Sequence, residues 1–453
     1  LVDGLADLEP DRVVAVDSGI ACLPGSGKAK QLGYQVIVTD HHLPGETLPE
    51  ADAIVNPNLP DDGFDSKALA GVGVVFYLLL AVRQALRTNG SPGADADLSS
   101  LLDLVAIGTV ADMVKLDANN RRLVRAGLAR INQGRCQPGV KALAQISGLA
   151  LGKITETDIG FRIGPKINAA GRLEDMALGI ECLLADDIDR ALDIAESLHS
   201  INLQRQELQQ DMLDQAGQAL EEAHELADAS EKRARILFGP SWHPGIVGLV
   251  ASKMKDLWHR PVLVFAPSEP GSDELRGSAR SIPGFHIRDA LAHVDALHPG
   301  LIARFGGHAM AAGLTLTHQN LVRFNEAFES VAAAWIAEAD LQSVFWTDGP
   351  LMRHEFNRDT ALAIHAAGPW GQGFAYPLFD NVFDVMTWQV LKEKHLKLQL
   401  ALPGMNSLVE AIHFNGYHGK PPPKRVRAVY ELQTNDFRER LSFQCLIRHM
   451  EPC

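Results

Sequence analysis

The sequence predicts an α/β protein: a parallel-sheet domain, a long connecting helix, a smaller α/β domain and a C-terminal OB-like β-barrel. Three observations carry this. Short β-branched runs ending in an acid or Asn recur near the start, in VVAVD (13–17), QVIVTDHH (35–42) and AIVNPN (53–58). Such runs, separated by segments of helical length, suit buried parallel strands. A polar stretch from Asp186 to about Ala229 carries Ile188, Leu192, Ala195, Leu198 and Ile201 at helical spacing. Beyond Asp340, short strand-like runs follow one another at the spacing of a small barrel. The 453 residues exceed what one core supports, and about 100–200 residues per domain gives three. The expected divisions are 1–185, 186–230 for the connecting helix, 231–335 and 340–453.

Composition narrows the class. No uncharged apolar run reaches the ~18 residues of a membrane span, and no signal peptide is visible. Cys22, Cys136, Cys182, Cys445 and Cys453 are scattered without a C-x-x-C pair. That argues against a zinc site or a disulfide framework and fits a reducing cytoplasm. A net charge of −14 is a poor global match to a nucleic-acid binder. It leaves room for a local basic channel, and metal ions can supply positive charge at a site. The chain opens on Leu1 as if within a βαβ unit, so its N-terminus is expected to lie upstream.

The first domain concentrates acids and histidines at predicted strand ends. Asp17 closes the first run, and Asp40, His41 and His42 close the second. Ligands of open α/β sheets bind at that edge. Gly71 to about Leu86 reads as a helix whose small residues allow close packing, and Leu101 to Val110 as a buried helix leading to Asp112. Alone, Asp112 is as easily a helix cap. Together, Asp17, His41 and Asp112 offer oxygens and one imidazole, which suits Mn²⁺ or Mg²⁺ better than zinc. His42 is then placed to meet a phosphate or move a proton.

Further along, TDIGFRIGPKINAAGRLE (157–174) reads as a small-residue loop presenting Arg172, a plausible phosphate cradle. HPGIVGLVASKM (243–254) begins an apolar helix with His243 and Gly245 at its start, a place for an anion. In RGSARS (276–281), alternation puts Arg276, Ser278 and Arg280 on one strand face. Gly306, Gly307 and His308 set exposed amides beside an imidazole. From Tyr417 to Met450, seven Lys/Arg face three acids, with Phe414, Tyr417, Tyr430, Phe437 and Phe443 interleaved. That is the composition of a single-strand-binding barrel.

VAVDSG, VTDHH, GTVAD, NAAGRLED, RGSARS and FGGHAMAAG, in that order, resemble the DHH phosphoesterase family with its accompanying DHHA1 domain. The resemblance spans essentially residues 1 to 450 and, with the barrel, points to the family's single-strand-specific exonucleases. It implies that Asp17, His41 and Asp112 are metal ligands, that Asp40 orients a neighbouring histidine, and that His42 lies at the reacting phosphate. It implies that Arg172, Ser278 and Arg280 bind nucleotide phosphates, with His243 and His308 lining the cleft between the catalytic domains and Gly306 and Gly307 beside the substrate. The implied activity is 5′ to 3′ degradation of single-stranded DNA in repair and recombination. Two Mn²⁺ or Mg²⁺ ions are implied for the complete protein. The implied partners are single-stranded DNA, the single-strand-binding protein and a RecQ-type helicase; the chain is expected to be a cytoplasmic monomer without membrane contact.

Two departures stand out. The family's first motif, Asp-x-Asp-x-Asp-Gly, is not in this chain, and GPWGQGFAYPLF (368–379) carries Phe-Ala where relatives carry Asn-Pro. Two other readings remain open here: a DHH enzyme for short oligonucleotides or cyclic dinucleotides, and a non-catalytic DHH scaffold.

Overall fold

The computed structural model describes residues 2–8, 10–225, 232–404, 407–437 and 440–453. Arg438 and Glu439 of the basic barrel stretch lie outside the described residues. The chain forms two compact units. The first holds 1–165, 182–195 and 345–453; the second holds 166–181 and 196–344.

In the first unit, β1 (Arg12–Val16), β2 (Gln35–Thr39) and β3 (Ala53–Val55) form a parallel sheet with β2 central. β-branched residues fill all three, and Val36 and Val38 are buried. α1 (Leu23–Gln31) packs on β2. The register aligns Val16 with Thr39 and Thr39 with Val55. All three strands therefore end on one line, and Asp17, Asp40 and Asn56 follow side by side.

α2 (Gly71–Thr88) is the one described helix long and apolar enough to cross a membrane. Its Gly71, Gly73, Val74 and Phe76 are buried, and Arg83 and Arg87 donate to the Ala96 and Ala94 carbonyls. One face of it shares a core with Val105 and Leu123. α3 (Leu102–Ala111) and α4 (Ala118–Asn132) pack together, followed by α5 (Pro138–Ile146).

The expected loop at 157–174 is helical. Thr155 and Asp158 cap it reciprocally at α6 (Glu156–Asp158), a π turn covers Ile159–Ile163, and α7 (Gly164–Leu173) continues. Its glycines serve close packing of a helix, and Arg172 stands in the last turn. α8 (Ala177–Leu184) leads to α9 (Ile188–Glu225), the long helix; 226–230 of its expected extent lie outside the described residues.

The second unit carries a five-stranded sheet in the order β4-β5-β6-β8-β7. Its strands are β4 (Arg235–Phe238), β5 (Val262–Pro267), β6 (Glu274–Arg280), β7 (Arg304–Gly307) and β8 (Ala311–Thr317). β4 and β5 run parallel and the other pairs antiparallel. All six residues of β5 are buried because helices cover both of its faces. α10 (Val247–Trp258) shares a core with Val262 and Val264 and with Met212 and Ala216 of α9. α11 (Ile287–Leu297) and α12 (Leu321–Trp335) lie over Phe265, Leu275 and Leu314 on the other face.

The C-terminal strands belong to the first unit. After α13 (Arg358–Ala367), β9 (Phe379–Leu391), β10 (His395–Ala401), β11 (Leu408–His413), β12 (Arg425–Phe437) and β13 (Arg440–Pro452) close a barrel. Leu396, Leu398 and Leu400 alternate into its core. The barrel is tied to the helices before it. Leu116 donates its N–H to the Gln372 carbonyl at 2.7 Å. Arg121 and Arg125 donate to the Ala367 and Gly368 carbonyls at the end of α13, and the Arg121 guanidinium sits 3.6 Å over the Phe374 ring. Phe374, the departure noted above, stacks on Trp370.

Part of the aromatic and basic content of the barrel is structural. Tyr430 is fully buried, and Tyr417 and Phe443 pack on the core. Arg427 pairs with Asp380, Arg448 with Glu431 and Arg425 with Asp384. Those pairs and packed rings hold the barrel together. Phe414, Trp388 and Trp346 are exposed rings.

Candidate metal centre and anion site

The strand ends of the first unit build the first site. Asp17 N–H donates to the Thr39 carbonyl, and Asp40 N–H to the Val55 carbonyl, extending the ladder one step past the strands. Asp17 has a left-handed backbone, with φ 58°. Such a conformation costs a non-glycine residue and is held only where surroundings fix it.

Asp40 organises the tripeptide. Its Oδ1 accepts from the N–H groups of His41 and His42 at 2.7 and 3.0 Å and lies 2.7 Å from His42 Nδ1; its Oδ2 accepts from Ile20 N–H at 3.0 Å. Burial pushes the Asp40 carboxyl up, but these four bonds outweigh burial and hold it below the usual carboxylate range. An ionised Asp40 accepts only, so His42 Nδ1 carries the proton and Nε2 is the open nitrogen. Asn56, buried, donates to the His42 carbonyl at 2.8 Å, and Asn58 to the His41 carbonyl at 2.6 Å.

His41 turns its ring nitrogen to the neighbouring acids. Its Nε2 lies 3.2 Å from Asp17 Oδ1 and 3.5 Å from Asp112 Oδ2. That nitrogen is buried and has no hydrogen-bond partner. The ligand atoms of Asp17, His41 and His42 all lie within 4.8 Å of one another. Asp112 is the C-cap of α3, where the helix dipole disfavours a carboxylate. Burial raises its carboxyl; His41 opposes this and Asp17 adds to it. The cluster thus has crowded carboxylates and an orphaned imidazole nitrogen, which a divalent cation would satisfy together. Hard oxygens with one or two imidazoles fit Mn²⁺ or Mg²⁺.

Two positioning residues escaped the sequence. Gly71 opens α2 beside Asp17, and a Cβ there would lie 2.0 Å from Asp17 Oδ1. Asn120, fully buried on α4, donates to the Ala68 carbonyl at 2.6 Å and the Lys115 carbonyl at 2.9 Å. It joins the segment before Gly71 to the segment after Asp112. Ser66 and Asp117 make a parallel link at 2.6 Å. The small residues from Gly71 hinted at packing, not at this role, and Asn120 gave no signal.

The second unit builds an arginine cluster. Arg280 donates to Ser278 Oγ at 2.9 Å and to Ser252 Oγ on α10 at 3.0 Å. Arg172 donates to the Gly245 carbonyl at 3.2 Å. Desolvation lowers Arg280, and the Arg172 charge lowers it further. Arg205 on α9 is lowered the same way by burial and then by Arg172, and its Nε is buried without a partner. The Arg172 charge depresses both Arg205 and Arg280, and none of the three has a carboxylate partner among the described residues. An anion is the natural complement. Arg205 and Ser252 were not anticipated, because only the fold brings them to Arg172 and Arg280. His243 accepts the Gly245 N–H on Nδ1 at 3.1 Å, fixing the turn before α10. Gly306 and Gly307 close β7, and His308 follows with its side chain exposed.

A parallel-sheet edge with this cluster, and a second α/β unit with an arginine site, define a metal-dependent phosphoesterase of the DHH class. Family models agree: the DHH N-terminal domain matches residues 4–109, the DHHA1 domain 232–334 and the RecJ OB domain 347–449. The chain is 45% identical to the single-stranded-DNA-specific exonuclease RecJ of Dickeya dadantii, over 98% of this chain and 77% of that protein. It is 44% identical to the Escherichia coli K12 protein of the same name, over 97% of this chain and 77% of that one. The crystal structure of RecJ with Mn²⁺ from Thermus thermophilus superposes with a TM-score of 0.82 at 29% identity, covering all of this chain and 63% of that one. The chain belongs to the RecJ family of single-stranded-DNA-specific exonucleases.

Proposed function

We propose that the chain is the catalytic part of a metal-dependent exonuclease that degrades single-stranded DNA from the 5′ end by phosphodiester hydrolysis, in DNA repair and recombination. The observation that carries the metal reading is the convergence of Asp17, Asp112 and the unpartnered His41 Nε2 at the ends of aligned strands. Relatives of this family solved with Mn²⁺ and with Mg²⁺ support the choice of ion.

Asp17, His41 and Asp112 would hold the cation. When bound, it neutralises phosphate charge and lowers the pKa of water. His42, with Nδ1 held by Asp40, offers Nε2 to take a proton and, once protonated, to donate to a phosphate oxygen. Asp40 keeps the ring in that orientation and tautomer. Arg172, Ser278 and Arg280 bind substrate phosphates, with Arg205 reinforcing the positive field. His243 shapes the turn beside Arg172, and Gly306, Gly307 and His308 border the bound strand. Single-strand-binding protein and a RecQ-type helicase are partners on the strength of family membership. Free cysteines at all five positions fit a reducing cytoplasm.

The test uses single strands labelled at the 5′ or 3′ end and a blunt duplex, with Mn²⁺ or Mg²⁺, beside Asp112→Ala. The expected result is release of short product from the 5′ label, sparing of the duplex and loss in the variant. Cleavage of dinucleotides alone, or binding without cleavage under either ion, refutes the proposal.

A further inference from the structure

The main chain of His41 and His42 has left the sheet. β2 ends at Thr39, and Asp40 N–H makes the last ladder bond. Successive side chains of a strand point to opposite faces; here the two rings lie 4.4 Å apart, centroid to centroid, at 53° to each other. No backbone group among the described residues bonds to the main chain of either histidine. Side chains supply every partner instead. Asp40 Oδ1 accepts both N–H groups, Asn58 Nδ2 donates to the His41 carbonyl at 2.6 Å, and Asn56 Nδ2 donates to the His42 carbonyl at 2.8 Å.

The two asparagines do more than their own turn requires. Asn56, Pro57, Asn58 and Leu59 form a turn directly after β3, closed by Leu59 N–H on the Asn56 carbonyl at 3.2 Å. Asn at the first position and Pro at the second favour such a turn. Asn56 Oδ1 completes it by accepting Asn58 N–H at 2.8 Å. That leaves Asn56 Nδ2 and the whole Asn58 side chain surplus to the turn. Both go to the histidine carbonyls, one each. Asn56 is buried with both ends of its amide in use.

A brace positions its load only from a fixed base. Lys67 Nζ donates to the Pro57 carbonyl at 2.6 Å and to the Asp62 carbonyl at 2.7 Å, pinning the turn and the loop after it. Its neighbour Ser66 bonds Asp117 at 2.6 Å, and Asn120 holds the Ala68 carbonyl. The turn that holds the histidines is therefore tied to the start of α4, the helix that follows Asp112. With N–H and carbonyl both held, each histidine keeps one backbone conformation, and its ring a narrow choice of rotamers.

We propose that Asn56 and Asn58 are positioning residues of the reaction: Asn58 sets His41 at the cation and Asn56 sets His42 at the phosphate, each through the histidine's own carbonyl. The inference rests on the exonuclease reading, since that reading gives the two rings separate tasks.

The test follows Mn²⁺ binding to the full chain by the electron paramagnetic resonance signal of the free ion, with thermal melts, and cleavage of a 5′-labelled single strand as Mn²⁺ is raised. Asn58→Ala removes one bond, the one to His41. It should bind Mn²⁺ about tenfold more weakly, melt like the unaltered chain, and cleave at the unaltered rate once Mn²⁺ saturates. Asn56→Thr is of similar size but too short to reach the His42 carbonyl. It should still cleave about tenfold more slowly at saturating Mn²⁺, with the KM for the strand unchanged. Asn58→Ala that binds Mn²⁺ like the unaltered chain overturns the His41 assignment, and Asn56→Thr that recovers the full rate overturns that of His42. Melting temperatures that fall in step with these losses overturn both, since the asparagines would then hold the fold. An unaltered chain that binds no Mn²⁺ sinks the metal reading and the brace with it. One that binds Mn²⁺ but cleaves nothing sinks the exonuclease reading and the Asn56 assignment, while Asn58 is judged on binding alone.

Discussion

Two sets of arginines in this chain live under opposite rules. In the barrel, Arg427, Arg448 and Arg425 each face a carboxylate. Around β6, the Arg172 charge works against both Arg205 and Arg280, and desolvation lowers all three. The metal centre repeats the second pattern with inverted sign: Asp17 and Asp112 crowd one imidazole nitrogen, and burial raises Asp112. Compensated charge holds structure together. Uncompensated charge stores a demand for a ligand, at a cost in stability. Charge balance, more than charge count, therefore separates the barrel from the two sites.

The largest break in that contrast comes from a methyl group. Gly71→Ala would place Cβ 2.0 Å from Asp17 Oδ1, forcing the carboxylate off His41. Cleavage is expected to fall by roughly 100-fold, the upper range for losing a group that orients a metal ligand. Manganese binding, followed by the electron paramagnetic resonance signal of free Mn²⁺, should weaken in parallel. Alanine suits a helix, so the melting temperature should hold. Unchanged Mn²⁺ affinity would show that Gly71 serves packing alone.

A smaller effect is expected at Asn120. Its two donated bonds span the Ala68 and Lys115 carbonyls, while its own Oδ1 is buried without a partner. Asn120→Leu keeps the branched shape of the side chain and removes the bridge. Mn²⁺ affinity should drop about tenfold, with single-strand binding in chelator unchanged. If both properties fall together, Asn120 holds the fold as a whole and not the spacing of Asp17 and Asp112.

Much of this was legible in the sequence, for local reasons. Each β-branched run ends in Asp or Asn, and period-two alternation fixes Arg276, Ser278 and Arg280 on one face. What escaped depended on distance along the chain. Arg205 comes near Arg172 and Arg280 only through the path of α9. Asn120 meets Ala68 across 52 positions. Residues 157–174 looked like a loop because glycine breaks helices by propensity, yet here the glycines lie within closely packed helical turns. For the barrel aromatics, composition cannot say which face a ring takes: Tyr430 is core, whereas Phe414 is exposed.

The smallest effect tests the compensated side. Asp380 accepts from Thr347 Oγ1 at 2.7 Å and from Arg427 at 2.7 and 3.0 Å. These bonds, Thr347 first and Arg427 next, hold its carboxyl below the usual range against a small opposing effect of burial. A folded-state pKa below the unfolded one adds stability above the unfolded value, about 3.9. That contribution disappears as pH falls through the folded value. Asp380→Asn should therefore melt below the unaltered chain at pH 6, and the gap should close as pH drops below about 4. The carboxylate is spoken for within the barrel, so oligonucleotide affinity at pH 7 should stay the same. A variant that keeps its melting temperature but binds DNA differently would mean that the Asp380–Arg427 pair faces the strand, and the division between cemented and available arginines would fail at its best-paired member.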